Sequence, residues 1–252
     1  MNEIATPRVG QSAGLTQLQR VTETFTAPQT TFDDIGRGNR SWWLPLIVLG
    51  LMSYILFGAV VQQVGIRQAV ENQIRMSPSA QERMAQIGPE QREKAYRIAD
   101  GITEGAFVAA PLLGILYALV IAAVLMGTIN FGFGGRAAFG EVLAVVYYAW
   151  LPQLVKVALG VSVLYAGMTP ESFNIKNYAP TNIAAFLDPA ETGRALYALL
   201  TALDVTTIWS VALLSLGLAT VAQVKRGSGY MAVFGWWAIV VLFRVGAAAV
   251  MG

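Results

Sequence analysis

Five stretches of the chain, at about residues 43–64, 106–129, 142–166, 200–224 and 231–251, are apolar and nearly free of charge. Each is close to the roughly 20 residues that a helix needs to cross ~30 Å of hydrocarbon. With 55% hydrophobic and only 13% charged residues overall, the chain reads as a polytopic membrane protein. The fold class expected is all-α, a membrane helical bundle of five transmembrane helices. An odd number of spans puts the two termini on opposite sides.

The segments between the spans are polar. Residues 1–41 form an N-terminal segment with sparse apolar positions, Leu15, Leu18, Val21, Phe25, Phe32 and Ile35. This spacing allows a short amphipathic helix at the membrane surface, with disorder equally compatible for the first dozen residues. No apolar core followed by a small-residue cleavage site occurs there, so the first span is expected to be its own targeting signal. Trp42 and Trp43 stand where interfacial aromatics anchor a span.

Residues 65–105 carry helix signals for two or three helices outside the membrane. These are a capping box at Ser79–Glu82, Pro89 for a first turn, and the pairs Glu90/Lys94 and Glu93/Arg97. Span 2 holds Pro111, tolerable in a membrane helix. The following "NFGFGG" is a turn, not a phosphate loop, because it lacks a preceding strand and a Gly-Lys-Ser/Thr ending. Ile183, Phe186 and Leu187 suit a short interfacial helix. No repeat of 20–50 residues is visible.

Basic residues are balanced across the bilayer, seven on the N-terminal side and eight on the other. Lys225 and Arg226, however, occupy the very short turn before span 5, where the positive-inside rule acts most strongly. The expected placement is a bacterial cytoplasmic (inner) membrane with the N-terminus inside.

The chain has no cysteine and no histidine, which excludes disulfides, thiolate or imidazole metal sites and the usual nucleophile–base pairs. No metal, cofactor or catalytic residue is expected. The net charge of +2 with intermixed signs gives no basic arm for nucleic acid.

The charges inside the spans are Asp204, Lys156 and Arg244. Ionised groups there are rare and normally paired or functional. From helix rise, Asp204 lies roughly 30 Å from Val224, Lys156 roughly 22 Å from Glu141, and Arg244 roughly 20 Å from Met231. The three therefore lie at compatible depths, and three readings stay open. Asp204 pairs with Lys156 or Arg244 and joins spans 3, 4 and 5; or it caps the chain near Thr206 and Thr207 while the cations snorkel; or it serves transport.

Tyr147, Tyr148, Trp150, Trp209, Trp236 and Trp237 fit packing and interface anchoring better than a ligand pocket. Pro152 either kinks span 3 to open a cavity or improves packing. Glu141 reads as interfacial. The "NRS" at Asn39 abuts the first span on the expected inner side, unsuited to glycosylation.

Three stretches together resemble the Yip (Ypt-interacting protein) family, in its bacterial form. They are "APQTTFDDIGRGNRSWWLP" (27–45), "FGEVLAVVYYAWLPQLV" (139–155) and "LDVTTIWSVALLSLGLATV" (203–221). The matching positions are Phe32, Pro45, Tyr148, Pro152, Trp209 and Gly217. The resemblance implies a five-span membrane adaptor with a cytoplasmic N-terminus, partnered by the lipid bilayer and other membrane proteins. Eukaryotic members bind Rab-type small GTPases, but the Asp-Leu-Tyr-Gly-Pro-type stretch that they carry is absent here. A non-enzymatic adaptor or organiser is the expected function; the alternative is a small-solute or ion transporter or channel working as a homo-oligomer.

Overall fold

A computed structural model describes residues 14–250, all helix and connection without a strand among them. The expectation for the first dozen residues falls outside this range. Two short helices, α1 (Gln17–Thr26) and α2 (Pro28–Gly36), precede the first span, α3 (Trp43–Gln63). Then come α4 (Ile66–Arg75), α5 (Pro78–Ala85) and the long α6 (Pro89–Gly127), which ends in a π turn, Thr128–Gly132. Span 3 is divided into α7 (Phe139–Ala149) and α8 (Gln153–Tyr165). The chain ends with α9 (Arg194–Ala202), α10 (Val205–Ala222) and α11 (Arg226–Val250). Among the described residues five helices, counting α7 and α8 as one, are long and apolar enough to cross a membrane.

The core is built around α7, whose residues Val142–Ala149 are all buried. A helix apolar on every side has to be surrounded, and α1, α2, α3, α6 and α10 all pack against it. The end of the bundle where α7 begins is called proximal here and the other distal. Pro152 has no N–H, so the hydrogen-bond ladder of span 3 is interrupted and tightens to Leu151 N–Tyr148 O and Gln153 N–Trp150 O contacts of 3.1 and 2.9 Å.

The N-terminal helices differ from the surface helix expected. They insert beside α7 and α10, with Phe32, Ile35, Thr24 and Thr31 fully buried. Small apolar content misled the expectation, because the segment buries its threonines as well. Thr24 and Thr31 hydroxyls both donate to the Arg20 carbonyl (2.7 and 3.1 Å) and so need no water.

At 39 residues, α6 is about 58 Å long, nearly twice the hydrocarbon thickness. Its first turns therefore stand outside the bilayer as a continuation of span 2, where a separate helix was expected. Pro89 occupies the first turn as anticipated. The capping box expected at Ser79–Glu82 does not form; α5 starts earlier, with Ser77 as N-cap and Pro78 in the first turn. A proline already suited to that position sets the start.

Arg67 on α4 binds Glu93 through both terminal nitrogens (3.0 and 3.2 Å) and Asp100 at 2.9 Å, while the Glu93–Arg97 pair is looser at 3.9 Å. Hydrogen bonds from Arg67 hold the Glu93 carboxyl below its usual range. A lowered carboxylate contributes stability at neutral pH and loses it as pH falls through the lowered value. We expect Arg67→Ala to release α4 from α6 at neutral pH, seen as faster proteolysis within residues 64–88 with little change in global melting. Wild type should show that nicking only on acidification below the ordinary glutamate range.

Candidate functional site

Asp204 stands at the N-terminus of α10, and the apolar run in which it sits is not one helix. The chain turns at Leu203, leaving α9 to pack on α11 and α10 to begin anew. The break follows from capping: Asp204 has extended backbone (φ −91°, ψ 128°) and accepts from Thr207 N at 3.0 Å. Its other donors are the Thr206 hydroxyl (2.6 Å), the Asn182 amide (3.3 Å), the Lys156 ammonium (3.0 Å) and the Thr181 hydroxyl. The carboxylate is 1% exposed, and Lys156 is 16% exposed in its side chain.

The loop between α8 and α9 supplies the rest of this enclosure. Val205 N donates to Thr181 O (3.0 Å), and Asn182 caps the 3-10 turn Ile183–Phe186 while exchanging amide bonds with Asn177. Asn174 and Asn177 bind the Tyr197 hydroxyl on α9. The Tyr178 ring lies 5.8 Å from the Lys156 ammonium and fills the space left by Gly160, where a Cβ would come within 2.5 Å of it. Burial, with the Asp204 charge adding to it, pushes the Tyr178 phenol up to about 12.

Of the three intramembrane charges, Lys156 and Asp204 meet and Arg244 does not join them. Arg244 is exposed on α11 and lines a separate distal pocket of about 550 Å³ with Lys176, Arg194 and Asn174. The depth of Arg244 was compatible with the cluster, but its helix face was wrong. The structure also unites two of the open readings, since Asp204 is at once ion-paired and a cap. With five donors on two oxygens, the carboxylate has little acceptor capacity left for a substrate.

A second buried pair lies between the N-terminal helices. Arg20 is 1% exposed, with Nε 3.6 Å from Asp34 Oδ2, and its Nη1 donates to Asn39 O (2.8 Å) and Ser41 O (3.1 Å). Its guanidinium lies 5.2 Å from the centroid of the Tyr148 ring. Asp34 also accepts from Leu15 N (3.2 Å) and Asn39 (2.9 Å). Sequence reasoning missed this cluster; the signal was an Arg and an Asp on two successive short helices. Glu141, expected to be merely interfacial, binds Arg40 at 2.7 Å and caps α7 through Ala138 N.

The family positions gather around α7 and α10. The Phe32 ring packs into the notch left by Gly217, where a Cβ would sit 2.8 Å from the ring and 2.5 Å from Val145. The Tyr148 hydroxyl reaches Gln17 Oε1 (2.8 Å) and Ser41 O (3.3 Å). Trp209 meets Phe25 edge-on at 5.6 Å. Pro45 is buried in the first turn of α3, and Pro152 divides span 3.

Five helices of membrane-spanning length and hydropathy define a multi-pass α-helical membrane protein. The Yip1 domain family model matches residues 22–248, and the chain belongs to the Yip family. That range takes in the second half of α1, all of α2, and the five spans up to residue 248. No curated protein and no solved structure matches the chain.

Proposed function

We propose that this protein is a non-enzymatic membrane adaptor or organiser, presenting the helical module of α4, α5 and the start of α6 to partner proteins outside the bilayer. The observation that carries this reading is the projection of α6, with exposed charges at Glu90 and Lys94 along it and Arg83 on the adjoining α5. The module is also braced: Arg67 ties α4 to α6, and the Asn72 amide donates to Pro170 O (2.7 Å) and Phe173 O (3.0 Å). A braced surface binds with less ordering cost than a mobile one. The absence of histidine and cysteine from the sequence favours a non-enzymatic role.

The transporter reading was motivated by charges within the spans. It is the weaker one, because Asp204 and Lys156 satisfy each other in an enclosed network and offer no free charged site. We infer a cytoplasmic proximal face from Lys225 in the short turn between α10 and α11 and from Arg226 at the start of α11. The adaptor reading is tested by placing a photoreactive residue at Arg83 or Lys94, and at the outward-facing Leu116 as reference, in native membranes. A discrete, stoichiometric protein adduct from the first two positions and lipid alone from the third is expected. Adducts with lipid or with the protein itself at all three would reject it.

A further inference from the structure

The distal pocket that Arg244 lines lies where α9, α11, the loop before α9 and the joint between α4 and α5 meet. Three cations line it: Lys176 from the loop, Arg194 from the first turn of α9, and Arg244 from α11. No acidic side chain does, since Asp188 and Glu191 on the same loop are exposed and stand outside the lining. Arg194 is already engaged. The Lys176 ammonium and the Arg244 guanidinium have no ion pair or hydrogen bond among the described residues. Like charges gathered without a counter-charge repel one another, so this pocket gains from an anion.

A second wall is polar and held in place. The Asn174 and Asn177 amides both donate to the Tyr197 hydroxyl (3.1 and 3.3 Å), and Gln73 of α4 donates to Asn174 Oδ1 (3.3 Å). Groups fixed in this way need little further ordering when a ligand arrives.

The remaining wall is apolar, with Ala198 on α9 and Phe243, Ala247 and Ala248 on α11. Phe243 is 77% exposed and Leu242 beside it 70%, so this wall continues onto the outer, lipid-facing surface. Helix rise puts Arg244 about 27 Å along α11 from Arg226, close to the far edge of ~30 Å of hydrocarbon. The cationic pocket therefore opens at the level of the distal headgroups.

We propose that this pocket binds the phosphate of an anionic phospholipid of the distal leaflet, with Lys176 and Arg244 on the phosphate oxygens and the start of an acyl chain along α11. A free phosphate ion would leave the apolar wall uncovered. A headgroup with its own cation, as in phosphatidylcholine, would bring one more positive charge into a lining that has no acid to receive it. The site is independent of the adaptor reading and of the Lys156–Asp204 pair.

The test uses the full chain in phosphatidylcholine nanodiscs. These contain a small fraction of either phosphatidylglycerol or phosphatidylcholine with a diazirine near the head of one acyl chain, and labelled residues are mapped by mass spectrometry. Lys176→Gln and Arg244→Gln each remove one charge at an exposed position, while Arg244→Lys keeps it.

An anionic headgroup gains about fivefold in affinity from each nearby Lys or Arg. Labelling of Phe243 and Ala247 by the phosphatidylglycerol probe is expected to fall about fivefold in each Gln variant and about thirtyfold in the double variant. It should stay near wild type in Arg244→Lys, be weak with the phosphatidylcholine probe, and be unchanged by potassium phosphate against chloride of equal ionic strength. Labelling of the exposed Val61 at the distal end of α3 should be alike in all four variants and wild type. Equal labelling of the pocket by the two probes, or phosphatidylglycerol labelling that the double variant keeps, would overturn the proposal. Competition by inorganic phosphate would overturn it too, by making a soluble anion the occupant.

Discussion

Asp204→Asn should destabilise the protein by about 3–5 kcal/mol, the usual cost of removing one partner from a buried ion pair. An asparagine can still cap α10 through its one carbonyl oxygen. Its amide, however, would place donors against the Lys156 ammonium, the Thr181 hydroxyl and the Asn182 amide, which all converge on Asp204 Oδ2. Lys156→Met should cost less, because Asp204 keeps four other donors: Thr181, Asn182, Thr206 and Thr207 N. Combined, the two changes should be less damaging than the sum of the singles, since the double variant leaves no lone buried charge. Reversible unfolding in bicelles measures all three. Equal stability of Asp204→Asn and wild type would remove the ion pair from the account.

Gly229→Ala is the second large effect, about 1–3 kcal/mol of destabilisation from overpacking. A Cβ there would lie 2.3 Å from the Ser215 carbonyl oxygen and 2.8 Å from the Ala219 Cβ, so the backbones of α10 and α11 would have to separate. Small residues at such crossings let membrane helices approach closely, which is where their association comes from. Gly217→Ala should cost less, because its neighbours Val145 and Phe32 are side chains with some room to turn. Gly235→Ala on the same helix as Gly229 meets nothing within 4 Å and should stabilise by up to about 1 kcal/mol through helix propensity. The order of the three melting temperatures is the check. A Gly229→Ala protein as stable as Gly235→Ala would mean that α10 and α11 do not cross where the structure places them.

The spans were legible because twenty apolar residues in a row leave a helix little alternative in hydrocarbon. The division of the fourth run into α9 and α10 was not, because the composition stays apolar through the turn and only Asp204 marks it. Helix rise gave the depth of Lys156 and Arg244 but carried no information on which neighbour each helix faces. That is why one cation found Asp204 and the other lines a different pocket. The burial of α1 and α2 was hidden by polar residues whose partners, Asp34 for Arg20 and Gln17 for Tyr148, come together only in the folded chain. The close approach at Gly229 is a property of packing, to which periodicity is blind.

Lys156 and Asp204 join span 3 to span 4, and the proposed function makes that pair a structural clamp with no part in carrying ions or solutes. Ion and proton flux into proteoliposomes of the purified protein, under an imposed membrane potential, decides between the two roles. Flux equal to that of protein-free vesicles is the predicted result. A flux that wild type supports, and that a folded Asp204→Asn protein abolishes, would contradict it.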